Sequence, residues 1–267
     1  MEINEIVGYV LAIFVGITLG LIGSGGSILS VPILVYVLHV EPVIATGYSL
    51  FIVGSTAMIG GIQKAKQKLV DFKKVLLLGI PTLITVFLTR RFIVPRLSNT
   101  IHIINDFEIT KATLLMIVFA IVMIIVSLKM IFSKSEVEIK ESSELNYFRI
   151  IFQGIFIGLL AGFVGAGGGF LIIPTLIFFA KTPMKIAVGT SLFIVAIQSL
   201  VGFVGDLQVN SVIDWNLLFI FTALSILGIF IGNYLSKKIN GNKLKTIFGV
   251  FVLFIGFYII IKELLLS

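Results

Sequence analysis

The sequence predicts an all-α polytopic membrane protein made of two inverted repeats, each a Gly-broken helical hairpin followed by three transmembrane helices. Three observations lead there. The chain of 267 residues is 58% hydrophobic and only 12% charged, with a mean hydropathy of +1.17, more apolar surface than a soluble domain can cover. Its apolar runs have the roughly 20-residue length of helical spans, and no ten-residue alternation of barrel strands is seen. A Gly-rich, Pro-ended motif also occurs twice at matching positions in the two halves.

The first run, residues 7–38, follows Glu2 and Glu5, where a secretory leader would carry basic residues, and is read as mature protein. About 32 residues would make a helix near 48 Å long, well beyond the hydrocarbon thickness. The glycine cluster at 23–26 is expected to break it into a hairpin. Spans follow at 43–61, 75–94 and 112–132, completing a first repeat over residues 1–132. The polar stretch "SKSEVEIKESSELNY" at 133–147 is a linker, expected on the cytoplasmic side. The second repeat, 148–267, opens with the equally long run 149–180, broken near 165–169, and continues with spans at 186–205, 215–235 and 246–265.

An offset of 142 residues lays Gly16, Gly20, Gly23, Gly25, Gly26 and Pro32 on Gly158, Gly162, Gly165, Gly167, Gly168 and Pro174. It also lays "ATGYSLFIV" (45–53) on "AVGTSLFIV" (187–195), identical at seven of nine positions. If each long run crossed the membrane once, Lys and Arg would divide almost evenly between the two sides. If each enters and returns, fifteen fall on one side and five on the other, the asymmetry expected of cytoplasmic loops. The second arrangement makes the repeats inverted and puts both termini outside the cell membrane. Inverted repeats with Gly/Pro-interrupted segments point to a transporter with its site near the midplane.

Irregular backbone within a bilayer must face protein or a cavity. Short helices are expected to restart near Ser27 and Gly169, and their first N–H groups, with about half a positive charge at each helix end, suit an anion. The candidate substrate-binding residues are Gly23, Ser24, Gly25, Gly26 and Ser27 in the first broken segment and Gly165, Gly167, Gly168 and Gly169 in the second. Thr46 and Ser49 on the next helix, with Thr190, Ser191 and Gln198 on its repeat, supply further polar groups. No Asp, Glu or His lies deep within a span, which favours anions over cations. Gly16, Gly20, Gly158, Gly162, Gly228 and Gly232 fit close helix packing. Arg90 and Arg91, near the outer end of a span, fit snorkelling to the headgroups, with a part in an anion entry funnel as the alternative.

The net charge of +7 comes from loop residues without interleaved aromatics, so nucleic acid is not an expected partner. Cysteine is absent. "GSGGSILS" lacks the Lys of a phosphate loop, and "GAGGGF" lacks the final glycine of a dinucleotide fingerprint. No catalytic residue, metal or cofactor is expected, and the partners are a small anion and the lipid bilayer, with self-association left open.

The doubled G-x-x-x-G-x-x-G-x-G-G-G/S-x-x-x-x-P pattern at 16–32 and 158–174, followed each time by A-x-G-x-S-L-F, resembles the TauE/SafE family of bacterial sulfite exporters and related permeases. The resemblance covers essentially the whole chain. It implies a cytoplasmic-membrane transporter of sulfur-containing anions such as sulfite, sulfoacetate or other organosulfonates, and the absence of a nucleotide-binding motif makes a secondary transporter the expectation. A passive anion channel and a non-transporting scaffold or subunit are the alternatives. Ser24 and Ser27 stand where the second repeat has Ala166 and Gly169, so the half-sites are chemically unequal.

Overall fold

The computed structural model describes residues 3–96, 100–104, 107–132, 147–164, 169–178, 180–207, 213–239 and 241–265. Helix α1 (Ile3–Ile22) is continuous up to Gly23, whose φ of +74° lies in the left-handed region and would cost an L-residue with a Cβ about 1–2 kcal/mol. A 3-10 stretch, Gly23–Leu29, comes next, then the short α2 (Ser30–Pro32) and a π turn, Ile33–Val37. The restart expected near Ser27 thus regains α geometry only at Ser30. The Ser27 and Ser30 hydroxyls each donate to the carbonyl three residues back, both at 2.8 Å, accompanying the tighter 3-10 turns.

The next elements are α3 (Pro42–Lys66) and α4 (Phe72–Leu88), the latter prolonged by a π turn at Thr89–Ile93 and a 3-10 turn at Val94–Arg96. Helix α5 (Lys111–Phe132) closes the first half. The second half holds α6 (Tyr147–Val164), α7 (Gly169–Phe178), α8 (Met184–Leu207), α9 (Trp215–Ser236) and α10 (Gly241–Leu265). Asp71 and Asp214 start α4 and α9 alike, each carboxylate accepting the N–H three residues on, the usual acidic N-cap. The link before α5 holds a two-stranded antiparallel ribbon, β1 (Thr100–Ile104) with β2 (Phe107–Thr110), pairing Ile104 with Phe107 and Thr100 with Thr110. It is rich in β-branched residues, which favour extended backbone.

Among the described residues, five helices are long and apolar enough to cross a membrane: Asn4–Ile22, Pro42–Lys66, Phe72–Arg96, Met184–Leu207 and Trp215–Ser236. Their outer faces are apolar. On α4, Phe72, Leu76, Ile80, Ile84 and Leu88 are all exposed at every fourth position, so they form one continuous stripe. A stripe this large against water would be an aggregation surface; against lipid it is the required solvent match. The chain is a polytopic helical membrane protein.

Helices α3 and α8 are the most enclosed of the five, and they cross antiparallel. Gly47 lies against Asp206, Gly54 against Leu200, Gly60 against Leu192 and Gly61 against Phe193. The contacts repeat under the 142-residue offset: Gly47 with Asp206 becomes Gly189 with Lys64, and Gly60 with Leu192 becomes Gly202 with Leu50. Helix α1 runs parallel to α9, Gly16 meeting Ser225 and Gly20 meeting Gly232 and Asn233, while α6 runs parallel to α4, Gly158 meeting Thr82 and Gly162 meeting Thr89. These are the close helix approaches expected of the outer glycines. A methyl group on Gly20 would sit 2.6 Å from the Ile229 carbonyl oxygen, so the backbones pack at a distance only glycine permits.

The bundle therefore has a first end, where α3 begins and α8 finishes, and a second end, where α3 finishes and α8 begins. Leu38, after the first broken segment, packs back on Gly8 near the start of α1, at the first end. Thr182, after α7, accepts a hydrogen bond from the Lys74 ammonium at 2.9 Å, at the second end.

Candidate functional site

The first broken segment is carried by α1 into the bundle, where Gly23 lies against the Val188 carbonyl and the Ser191 hydroxyl of α8. The next residue joins the two halves: the Ser24 N–H donates to Ser191 Oγ at 3.3 Å, and the Ser24 hydroxyl donates to the Gly169 carbonyl at 2.7 Å. Gly169 opens α7, and a side chain there would collide with Ser24, its Cβ included at 2.5 Å. Ser191 Oγ donates its own proton to the Val188 carbonyl at 2.9 Å. Beyond Ser24 the Ser27 and Ser30 hydroxyls bond the backbone carbonyls of Ser24 and Ser27, and the hydroxyl of Ser49 on α3 shares a hydrogen bond with that of Ser30.

Ser24, Ser27, Ser30, Ser49 and Ser191 are all fully buried. Ser49 and Ser191 are the eighth residues of α3 and α8, about 10 Å in from each helix start, so the cluster lies well inside the bundle. The structure thus gathers Gly23, Ser24, Ser27, Ser49, Gly169 and Ser191, with Gly25 and Gly26 in the intervening 3-10 backbone. Gly165, Gly167 and Gly168 lie outside the described residues. Ser30 is an addition that the sequence reading misses, although it continues the three-residue spacing of Ser24 and Ser27.

The other candidates fall elsewhere. Thr190 Oγ1 accepts the Asp71 N–H at 2.9 Å at the second end, and Gln198 is buried on α8 two turns beyond Ser191. Thr46 faces an ion pair at the first end. There Arg90, wholly buried, donates from one guanidinium nitrogen to Thr46 Oγ1 at 3.0 Å and to the Asp206 carboxylate at 3.3 Å. Arg90 therefore does not snorkel: it lies buried in the π turn Thr89–Ile93, and Asp206, at the end of α8, is 6% exposed. Its Nε and second terminal nitrogen have no hydrogen-bond partner among the described residues.

A cavity is found at each end. At the first end a cavity of only about 10 Å³ reaches Gly47, Tyr48 and Asp206, barely space for one water. At the second end a cavity of about 120 Å³ is lined by Lys64, Lys185, Lys237, Ser236 and Gln67 and reaches Leu21 and Val188, beside the broken segment. No cluster of His, Cys, Asp and Glu that would hold a metal ion is found among the described residues. Chemically, the buried cluster offers hydroxyl and amide donors without a carboxylate, with a cation-lined cavity one residue layer away.

The chain matches the family described as "Sulfite exporter TauE/SafE" over residues 9–259. It is 29% identical over 253 residues to a protein of Xylella fastidiosa described as "Probable membrane transporter protein", covering 92% of this chain and 91% of that one. It is 26% identical over 265 residues to "Probable membrane transporter protein YunE" of Bacillus subtilis, covering 89% and 88%. A relative of the same description in Methanocaldococcus jannaschii is 29% identical over 211 residues, covering 75% of this chain and 73% of that one. No solved structure matches it. With the family pattern running from α1 to α10 through a polytopic helical bundle, the chain belongs to the TauE/SafE family of membrane transporters.

Proposed function

We propose that the protein is a secondary transporter of a small sulfur-containing anion, sulfite, sulfoacetate or another organosulfonate, which binds where the two broken segments meet. The observation that carries this reading is the Ser24 junction, in which one broken segment touches both the start of α7 and Ser191. Backbone N–H groups released by the 3-10 stretch and by the first turn of α7, together with the serine hydroxyls, supply donors for an oxyanion. A bound oxyanion would replace the carbonyls that now accept the Ser24 and Ser191 protons.

The antiparallel crossing of α3 and α8 and the reciprocal pairs α1 with α9 and α6 with α4 support an inverted repeat, with hairpins entering from opposite faces. The lysines of the second end, including Lys64, Lys66, Lys68, Lys73, Lys74 and Lys185, support placing that end in the cytoplasm. Alternating access then amounts to one repeat rocking against the other. The cavity at the second end and the Arg90–Asp206 pair at the first fit a conformation that faces the second end.

The test is uptake of radiolabelled sulfite and of a sulfonate panel into proteoliposomes. Wild type should accumulate at least one of them, Ser191→Ala should lower the initial rate about tenfold through loss of one buried hydrogen-bonding group in the site, and Gly169→Leu should abolish it while still inserting. Wild-type rates in both variants would refute the site.

A further inference from the structure

We propose that the cavity at the second end is an oxyanion-binding vestibule in which Lys64, Lys185 and Lys237 capture the anion before it reaches the broken segments. Both charge and room support it. Lys64 is 4% exposed, and its ammonium has a single described partner, the neutral Ser236 hydroxyl at 2.8 Å. Lys185 and Lys237 line the same cavity, and no carboxylate is among its lining residues. A cation in a membrane-embedded bundle ordinarily pairs with an opposite charge. Lys185 and Lys237 are exposed and add positive potential, while Lys64 is the buried ammonium, offset by about half a negative charge at the last turn of α3.

The offset between the halves gives a second, independent reason. Lys64 occupies in α3 the place that Asp206 occupies in α8, and the partner of Asp206 at the first end is Arg90. By the matching contacts of α4 and α9, Asn233 stands in the place of Arg90 and bonds the neutral Gln63. At the first end the cation is paired with its carboxylate; at the second, where the Asp71 carboxylate pairs with Lys74, Lys64 borders a cavity of about 120 Å³ without a carboxylate in its lining, roughly ten times the least volume that holds a water. The missing negative charge is the ligand's. Ser236 Oγ and the Gln67 side chain supply neutral hydrogen-bonding groups beside the ammoniums. The inner wall is Val188, whose carbonyl lies against Gly23 and accepts the Ser191 hydroxyl, so an anion in the vestibule is next to the buried serines.

This inference deepens the anion-transport reading and rests on it only for the purpose the vestibule serves. Its test is isothermal titration of the purified, lipid-nanodisc protein with sulfite and with sulfate at low ionic strength. Wild type should bind at least one of them saturably and more weakly as salt rises. Lys64→Gln and Lys185→Gln should each weaken binding about tenfold, as expected for loss of one charge-assisted contact, while Lys64→Arg, which keeps the charge and guards against misfolding, should retain most of it. No saturable binding by wild type, or wild-type affinity in Lys64→Gln, would overturn the vestibule whatever the uptake assay gives. Binding that depends on the lysines in a protein that transports neither anion would leave the vestibule standing and remove the transport reading.

Discussion

Replacing Asp206 by Asn strips the buried Arg90 of its counter-charge while changing almost nothing in shape. Arg90 Nη1 lies 3.3 Å from the carboxylate, and both side chains are at most 8% exposed. Coulomb's law at an effective dielectric of about 20 gives an attraction of about 5 kcal/mol at that separation. Much of this offsets the desolvation of the two ions, but in the variant that cost remains for the arginine without the attraction. The net loss expected for breaking a buried pair is about 3–5 kcal/mol. SDS-induced unfolding in mixed micelles reads it directly, because the chain has a single tryptophan. Trp215 begins α9 at the same end and packs against Phe51, Phe203 and Phe219 with ring centroids 5.7–6.3 Å away. Asp206→Asn should lower the unfolding free energy by about 3–5 kcal/mol, and the double variant Arg90→Met/Asp206→Leu should recover most of it, since apolar replacements of a buried pair are close to neutral. A loss under about 0.5 kcal/mol in Asp206→Asn, the size of a typical surface substitution, would refute the reasoning that this pair closes the first end.

The packing and the topology make two further outcomes testable. Gly20→Ala should destabilise the bundle by about 1–3 kcal/mol through overpacking at α9. Gly79→Ala should instead be neutral or stabilise by about 0.5–1 kcal/mol, because the nearest atom a Cβ would meet there is 3.6 Å away; equal effects in the same SDS assay would contradict this packing. In whole cells, an impermeant maleimide should label the exposed position 41 in Glu41→Cys from outside and should not label the exposed position 66 in Lys66→Cys. The reverse pattern would contradict the placing of the second end in the cytoplasm.

Much of this molecule can be read from residue order, for identifiable reasons. Span lengths are set by bilayer thickness, so the expected runs 43–61, 186–205 and 215–235 lie within helices Pro42–Lys66, Met184–Leu207 and Trp215–Ser236. The break at Gly23 is legible because a glycine cluster has little reason to exist inside a span, and Gly23 is where φ turns positive. The conformation beyond the break is not legible, since whether the chain at Ser27 winds as an α helix or a 3-10 turn depends on which carbonyls its backbone N–H groups reach in the packed bundle. The serine cluster is half legible: the repeat marks Ser49 and Ser191 as a pair, yet Ser30, which links Ser49 to the rest, sits in no motif of its own. Arg90 and Asp206 look like span-end charges in the sequence because their pairing joins residues 116 positions apart across α4 and α8. The repeat offset places Lys64 opposite Asp206 in the alignment, and only the helix packing reveals that Asp206 meets Arg90 whereas Lys64 meets the neutral Ser236 hydroxyl.

The most direct test of transport through the broken segments is counterflow. Proteoliposomes preloaded with unlabelled sulfite, or with whichever sulfonate the protein takes up, are diluted into a trace of the labelled anion. A carrier that alternates between faces should show a transient accumulation of label above equilibrium, present in wild type and absent in Gly169→Leu. Label that only equilibrates, or liposomes indistinguishable from protein-free controls, would contradict the account.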